Sequence, residues 1–323
     1  MLTRRGNGAD VADLVERARN ADARAVARLI SLVENDSPAL REVAAALAPH
    51  GGSAQVVGLT GSPGVGKSTS TSALVGALRA RGKRVGVLAV DPSSPFSGGA
   101  LLGDRVRMQD HATDDGVFIR SMASRGQLGG LSAAVPQALR VLDAAGCDVV
   151  LIETVGVGQA EVEIASLADT TVVLLAPGMG DGIQAAKAGI LEIADIFVVN
   201  KADRDGADQV ARDLRYMQSL GGRHSEAGAW RPPIVKTVAS RAEGIDDVVA
   251  AIEKHRGWMD GHGELERRRV NRAATEIEAI ALGRVRQRFA DVHGSAALGV
   301  AAARVVAGET DPYRAADELV ESL

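Results

Sequence analysis

The segment that most constrains how this 323-residue chain folds is Gly61-Ser62-Pro63-Gly64-Val65-Gly66-Lys67-Ser68. An apolar run, 56–60, comes directly before it, and a helical pattern, 70–81, follows it. The spacing GxxxxGK[ST] between a strand and a helix is typical of a phosphate-binding loop, because its glycines let successive amide hydrogens point at one anion near the helix N-terminus. We therefore predict that this segment, together with Thr69, binds the phosphates of a nucleotide.

The rest of the chain predicts the sheet that would carry such a loop. Apolar runs alternate with helical stretches, and most of the runs are nearly continuous in Val, Ile and Leu, as in strands that are covered on both faces. This alternation predicts an α/β fold with a doubly wound, mostly parallel sheet, which binds ligands at the carboxyl ends of its strands. The predicted strands are 56–60, 85–90, 117–120, 149–153, 171–176, 196–200 and 234–239.

Three parts are expected along the chain. Residues 1–52 contain short amphipathic helical patterns and form an N-terminal helical extension, 53–260 form the α/β domain, and 261–323 are helical. One long helix is predicted at 263–290, with Leu265, Ile277, Ile280 and Val285 on or near one face, and two shorter helices are predicted at 296–307 and 312–322. The many arginines of the long helix are interpreted as a solvated face, with a partner or subunit contact as the alternative.

Composition and charge exclude several classes of partner. The net charge is −4 and 24% of the residues are charged, so no general attraction to nucleic acid or to an anionic membrane is expected. No apolar run approaches the roughly 18 residues of a membrane span, and no apolar stretch follows Arg4 and Arg5 as in a signal peptide, so we expect a cytoplasmic protein. Cys147 is the single cysteine and lies in an apolar run, which predicts a buried thiol.

Lys67, Ser68 and a carboxylate at the end of another strand predict magnesium-dependent phosphate chemistry. Lys67 is expected to neutralise the β- and γ-phosphates, and Ser68 to offer its hydroxyl to Mg²⁺. The run 149–152 ends in Glu153, and the sequence continues to Gly156 with the pattern ExxG. We expect Glu153 to reach the ion directly or through water, and the Gly156 amide to contact the γ-phosphate.

Two aspartates are candidates for orienting the attacking water or for holding magnesium. Asp91 follows the strand 85–90 and begins a stretch rich in Gly, Pro and Ser, which predicts a loop beside the phosphates. Asp104 lies further along the same connection. The alternative for both is an ordinary loop carboxylate.

The base is predicted to be guanine. Asn200-Lys201-Ala202-Asp203 follows a predicted strand and reads NKxD. Asp203 is expected to accept hydrogen bonds from N1–H and the 2-amino group of guanine, whereas adenine would leave this carboxylate unpaired. Asn200 is expected to brace the surrounding loops and the Lys201 stem to lie along the base. A second loop, Val238-Ala239-Ser240, is expected to present the Ala239 amide to guanine O6.

These motifs together resemble the MeaB/ArgK-type GTPases over about residues 10–290. The resemblance rests on Gly61–Ser68, on Val90-Asp91-Pro92-Ser93-Ser94-Pro95, on Gly103-Asp104-Arg105, on Glu153-Thr154-Val155-Gly156-Val157-Gly158-Gln159, on Pro177-Gly178 with Asp181, Gln184 and Lys187, and on Asn200-Lys201-Ala202-Asp203. It implies a GTP- and Mg²⁺-binding chaperone of adenosylcobalamin-dependent methylmalonyl-CoA mutase, which gates cofactor loading and protects the mutase. It also implies a homodimer joined through the C-terminal helices, and switch roles for Gln159, Asp181 and Lys187.

Three alternatives remain open at this point. A nickel-insertion GTPase needs clusters of His and Cys ligands, whereas this chain has six scattered histidines and one cysteine. A small-molecule kinase needs an acceptor pocket, which the sequence does not identify, and NKxD argues against ATP. A scaffold with a structural nucleotide would not need Lys67, Ser68, Glu153 and Asp91 together.

Overall fold

The computed structural model describes residues 7–35, 37–91, 108–111, 113–123, 134–154, 160–178, 190–220, 228–292 and 296–321. The chain divides into two compact units, Met1–Arg268 and Arg269–Leu323. The first unit contains the sheet and its flanking helices, and the second is helical. The predicted division into residues 1–52, 53–260 and 261–323 stays a prediction.

Seven parallel strands form one sheet in the order β3-β2-β4-β1-β5-β6-β7, which confirms the predicted α/β architecture. The strands are β1 (Gln55–Thr60), β2 (Val85–Asp91), β3 (Val117–Ala123), β4 (Val149–Thr154), β5 (Thr170–Leu175), β6 (Ile196–Val199) and β7 (Ile234–Lys236).

Ten α-helices begin in the described part of the first unit. They are α1 (Asn7–Arg19), α2 (Ala23–Glu34), α3 (Leu40–Leu47), α4 (Lys67–Ala80), α5 (Val135–Ala144), α6 (Ala160–Leu167), α7 (Ile190–Ile193), α8 (Ala207–Leu220), α9 (Ile245–Gly261) and α10 (Glu264–Val292), which continues into the second unit. The second unit also contains α11 (Ala296–Val306) and α12 (Pro312–Glu321).

Two strand ends differ from the sequence-based prediction by more than one residue. β7 stops at Lys236 instead of continuing to residue 239, because the chain turns back on itself and Val238 forms an antiparallel bridge with Glu243. β3 continues beyond the predicted residue 120 to Ala123, because Ala123 still pairs in register with Asp91 of β2.

Both faces of the sheet are buried, which explains why the strands are nearly continuous apolar runs. Successive residues of β4 point to opposite faces: Val150 and Ile152 pack in a cluster with α1–α3, α5 and α6, and Val149 and Leu151 pack with α4 and α9. The three N-terminal helices therefore share a core with the sheet. Cys147 is buried in the first cluster, as predicted, and this burial raises the pKa of its thiol to about 11.

The second unit leaves large apolar side chains in solvent. Within it, Arg304 Nη1 on α11 donates to Glu318 Oε2 on α12 at 2.7 Å. The exposed apolar residues of this unit are Val270, Ile277, Ile280, Leu282, Val285, Val300, Val306, Tyr313 and Val320. Of the predicted face of the long helix, Leu265 belongs to the first unit and is buried. None of the helices in the described ranges is long and apolar enough to cross a membrane.

Candidate nucleotide site

The phosphate loop connects β1 to α4 at the carboxyl edge of the sheet, where the sequence predicts it. Two of its glycines have positive φ angles and no room for a side chain. A Cβ on Gly61 (φ 142°) would stand 2.3 Å from the Leu174 carbonyl oxygen, and one on Gly66 (φ 97°) would stand 2.4 Å from Asn200 Nδ2. The loop is thus packed against β5 and against the start of the NKxD segment.

Lys67 opens α4 and is buried within the loop that precedes it. Its Nζ donates to the Gly61 carbonyl oxygen at 2.6 Å and to the Ser62 carbonyl oxygen at 3.2 Å. The ammonium is therefore held inside the curve of the loop rather than in solvent. A cation at this place, beside the amides of a helix N-terminus, is suited to neutralise phosphate oxygens.

Ser68 and Glu153 come together from α4 and β4. Ser68 Oγ donates to Glu153 Oε1 at 2.6 Å, and both side chains are buried. β4 lies between β1 and β2, with Glu153 in register with Leu59 and Ala89. A hydroxyl and a carboxylate side by side are hard oxygen ligands of the type that Mg²⁺ prefers, so these two residues fit the predicted ion.

The other predicted phosphate and magnesium residues are described only in part. Asp91 is the last residue of β2, and its neighbour Val90 is in register with Thr154, so the Asp91 backbone lies one position beyond Thr154 and two beyond Glu153 at the same edge of the sheet. The predicted residues Asp104, Gly156, Gln159, Asp181 and Lys187 lie outside the described residues. Within the described ranges, no group of three or more His, Cys, Asp and Glu residues is arranged to hold a metal ion.

Asn200 joins the base loops to the phosphate loop. Its Nδ2 donates to the Val65 carbonyl oxygen at 2.8 Å. Its Oδ1 accepts from Thr237 Oγ1 and from the Ala239 amide, each at 3.1 Å. The side chain is buried, so these bonds form away from water. One amide group therefore braces three loops, as the sequence predicts for Asn200.

Lys201 and Asp203 complete the NKxD segment. Lys201 has a φ of 56°, unusual for a residue with a side chain, and its Nζ donates to the Gly64 carbonyl oxygen at 2.6 Å. Its stem thus extends from the base loop to the phosphate loop. The Ala202 amide donates to the Thr237 carbonyl oxygen at 3.0 Å. The Asp203 side chain is 41% exposed and accessible to a ligand.

The second base loop adds one residue that sequence reasoning missed. Val238 and Ala239 are buried, whereas Ser240 is exposed. Thr237, the residue before them, is buried and bonds to Asn200, which lies 37 residues earlier in the chain. A threonine just after an apolar run carries no signal for such a contact, because the contact depends on β6 and β7 being neighbours.

A parallel sheet with a phosphate loop between β1 and α4 and an Asn-Lys-Ala-Asp segment after β6 defines a phosphate-loop GTPase fold. The chain belongs to the MeaB family: the family model described as "Methylmalonyl Co-A mutase-associated GTPase MeaB" matches residues 26–293. This confirms the resemblance that the sequence motifs indicate.

Individual relatives extend the match over nearly the whole chain. A protein of Pyrococcus abyssi that is named as a GTPase is 47% identical over 311 residues, 96% of each chain. The GTPase ArgK of Escherichia coli is 37% identical over 266 residues, 80% of each chain. The crystal structure of a protein titled LAO/AO transport system kinase has a TM-score of 0.71 and 28% identity, covering 99% of this chain and 98% of that one.

Proposed function

We propose that this protein binds GTP and Mg²⁺, hydrolyses GTP to GDP and phosphate, and acts through its nucleotide state as a chaperone of an adenosylcobalamin-dependent methylmalonyl-CoA mutase. The observation that carries the nucleotide part is the buried Asn200 side chain. It bonds to Val65 in the phosphate loop and to Thr237 and Ala239 in the second base loop, so phosphate and base elements form one site.

Guanine selection would come from Asp203. Its exposed carboxylate would accept from N1–H and the 2-amino group of the base, with the Lys201 stem along the base plane. Adenine offers neither donor at these positions, so it would leave a desolvated acceptor unpaired, which is how polar sites reject a close analogue. The Ala239 amide, whose single hydrogen is donated to Asn200 Oδ1, would have to share that hydrogen with guanine O6 or be released to it when the base binds.

Hydrolysis would depend on charge placement around the γ-phosphate. Lys67 would neutralise the phosphate oxygens, and Ser68 and Glu153 would hold Mg²⁺, with Asp91 and Asp104 as further ligands or as the groups that orient water. When bound, Mg²⁺ would supply positive charge to the β- and γ-phosphates. The Gly156 amide would donate to the γ-phosphate.

The mutase is proposed as the partner because the family description names it. Many GTPases place a glutamine directly after the glycine of DxxG to orient water, whereas this chain has Val157 after Gly156 and Gln159 two residues later. We infer a slow isolated GTPase that a client accelerates by fixing this segment together with the segment of Asp181 and Lys187. Reciprocity then requires that the nucleotide state changes the affinity for the mutase.

We propose in addition that the second unit mediates homodimerisation. Its exposed apolar residues on α10, α11 and α12 support this, because large apolar side chains that are left in solvent are the kind that a subunit interface buries. Sedimentation of the full chain tests it. A dimer that Ile277→Glu converts to a monomer is the expected result, and a monomeric wild-type protein would contradict it.

The decisive experiment measures binding and turnover together. GDP and GTP should bind far more tightly than ATP, and phosphate release from GTP should proceed slowly without any phosphate acceptor. Addition of methylmalonyl-CoA mutase should accelerate release in the wild type, and Lys187→Ala should reduce that acceleration. Equal affinity for ATP and GTP would refute the guanine assignment, and a rate that mutase leaves unchanged would refute the partner.

A further inference from the structure

Arg241 connects the guanine-selecting carboxylate to the second base loop. Its Nη1 lies 3.8 Å from Asp203 Oδ2. The other side of the same guanidinium is held by Glu243, since Nε donates to Oε1 at 2.7 Å and Nη2 donates to Oε2 at 3.3 Å. Glu243 thus holds the Arg241 guanidinium through Nε and Nη2, while the remaining nitrogen, Nη1, faces Asp203.

The backbone of this loop explains why Arg241 and Glu243 keep these positions. Val238 and Glu243 exchange backbone hydrogen bonds across an antiparallel bridge, at 3.0 and 3.3 Å. The Arg241 amide donates to the Val238 carbonyl oxygen at 2.9 Å, and Ala242 makes the reversal with a φ of 55°. The loop is a closed ring of backbone bonds, so Arg241 approaches Asp203 from a fixed base.

The distance between the two charges determines what Arg241 does. At 3.8 Å, the guanidinium attracts Asp203 Oδ2 without forming a hydrogen bond to it. The lone pairs of the carboxylate therefore stay available to a ligand, while the attraction favours one orientation of an otherwise half-exposed side chain. An arginine bonded directly to both oxygens of Asp203 would instead compete with the base.

We propose that Arg241 is a positioning residue for base selection, which holds the Asp203 carboxylate in the orientation that accepts both N1–H and the 2-amino group of guanine. This inference rests on the proposed guanine binding. It predicts that Arg241 matters more for guanine, which offers both donors, than for hypoxanthine, which lacks the 2-amino group. A residue that only stabilised the loop would affect the two bases equally.

The expected size of the effect of Arg241 on nucleotide binding follows from the solvent exposure of the Arg241 and Asp203 side chains. The Arg241 side chain is 54% exposed and that of Asp203 is 41% exposed, and ion pairs between exposed side chains are weak. We expect Arg241→Ala to weaken GDP binding about three- to fivefold and to weaken IDP binding less than about twofold. Raising the salt concentration from about 0.05 M to about 0.5 M should lower the wild-type preference for GDP over IDP towards that of the variant.

The test is calorimetric titration of the full-length protein with GDP, IDP and ADP. Arg241→Ala and Arg241→Glu are compared with Arg256→Ala, which removes an arginine paired with Asp260 on α9, away from both base loops. Arg241→Glu should reduce the GDP-to-IDP preference further than Arg241→Ala, because it places a like charge beside Asp203. Arg256→Ala should leave the preference unchanged.

The same substitution made in the Asp203→Asn variant distinguishes this inference from the guanine assignment. In Asp203→Asn protein, Arg241→Ala should no longer change the GDP-to-IDP ratio, because the charge that it orients is gone. Equal weakening of GDP and IDP by Arg241→Ala, or no weakening at all, overturns the positioning role while the guanine assignment stands. A wild-type protein that binds GDP no better than ADP overturns both.

Discussion

Arg268 holds both oxygens of the Asp195 carboxylate, with Nη1 2.8 Å from Oδ2 and Nη2 2.9 Å from Oδ1. The same Asp195 accepts from the Thr171 amide at 2.8 Å, and Arg268 Nη1 also donates to the Asp169 carbonyl oxygen at 2.9 Å. Asp169 and Asp195 directly precede β5 and β6, so this pair ties the first turns of α10 to the amino ends of two neighbouring strands. The phosphate loop and the two base loops lie at the opposite, carboxyl edge of the sheet.

Removing Arg268 should destabilise the first unit strongly. Arg268→Ala would leave the buried Asp195 carboxylate without its counter-charge, and such a change costs about 3–5 kcal/mol. The free energy of unfolding in urea, followed by tryptophan fluorescence, measures this loss. Arg256→Ala, which removes an exposed i,i+4 pair, should cost less than about 1 kcal/mol. Similar losses in the two variants would contradict the assignment of a structural role to the buried pair.

His255 should make the protein sensitive to acid. Its ring is fully buried, and this burial lowers the pKa to about 4, against the opposing effect of nearby Asp195. Because the unfolded chain binds this proton near pH 6.5, stability is retained above that pH and is lost as the pH falls from about 6.5 to about 4. At about 1.4 kcal/mol per pKa unit, the loss approaches 3 kcal/mol.

The check on His255 is the slope of unfolding free energy against pH. His255→Gln cannot take up a proton, so its unfolding free energy should fall less steeply between pH 6.5 and pH 4 than that of the wild type, whatever its stability at pH 7. His262→Gln serves as a control, since His262 is exposed. Parallel slopes for the wild type and His255→Gln would show that His255 does not titrate in this range.

Lys67→Ala should abolish GTP hydrolysis. The buried ammonium is held inside the phosphate loop by the Gly61 and Ser62 carbonyl oxygens, so its loss removes positive charge where the γ-phosphate is expected. Phosphate release at saturating GTP is the measurement. Turnover by Lys67→Ala at the wild-type rate would place the chemistry elsewhere.

Asp91→Ala should separate binding from catalysis. The residue ends β2 at the edge that carries Glu153, and the proposed role in water or magnesium placement matters for turnover more than for base and phosphate binding. We expect a GDP affinity close to that of the wild type and slower phosphate release. Wild-type turnover in this variant would refute the role.

Asp203→Asn should weaken guanine nucleotide binding by roughly 2 kcal/mol or more, because the charged acceptor is lost. Titration with GDP and ADP tests both affinity and selectivity, since the weak binding of ADP should change little. A variant that keeps its wild-type affinity for GDP would show that the base does not contact Asp203.

Local patterns were sufficient for the phosphate loop and for the elements around it. The loop with its preceding strand and following helix, and the run that ends at Glu153, follow from composition and spacing over a few residues. The predicted end of a strand was wrong where that end depends on pairing with a segment elsewhere in the chain. β7 ends early because Val238 pairs with Glu243, and β3 extends because Ala123 pairs with Asp91.

The role of the histidines required the tertiary structure. His255 and His262 lie seven residues apart, a spacing that can place two side chains on one face of a helix, although Gly257 and Gly261 lie between them. In the fold, His255 Nδ1 is 2.9 Å from Thr170 Oγ1, and its ring lies beside Trp230 and Trp258. Its surroundings are those of a core residue, and only the packing of α9 against β5 produces them.

By itself, the sequence determined the class of fold, the phosphate loop and the guanine motif, because each depends on residues that are adjacent in the chain. The tertiary structure alone decided which distant groups meet: Asn200 with Val65 across 135 residues, Arg268 with Asp195 across 73, and Arg241 with Asp203. The physical reason is that these contacts are set by the order of strands in the sheet. Hydrophobic periodicity specifies which faces are buried, but it does not specify which strand lies beside which.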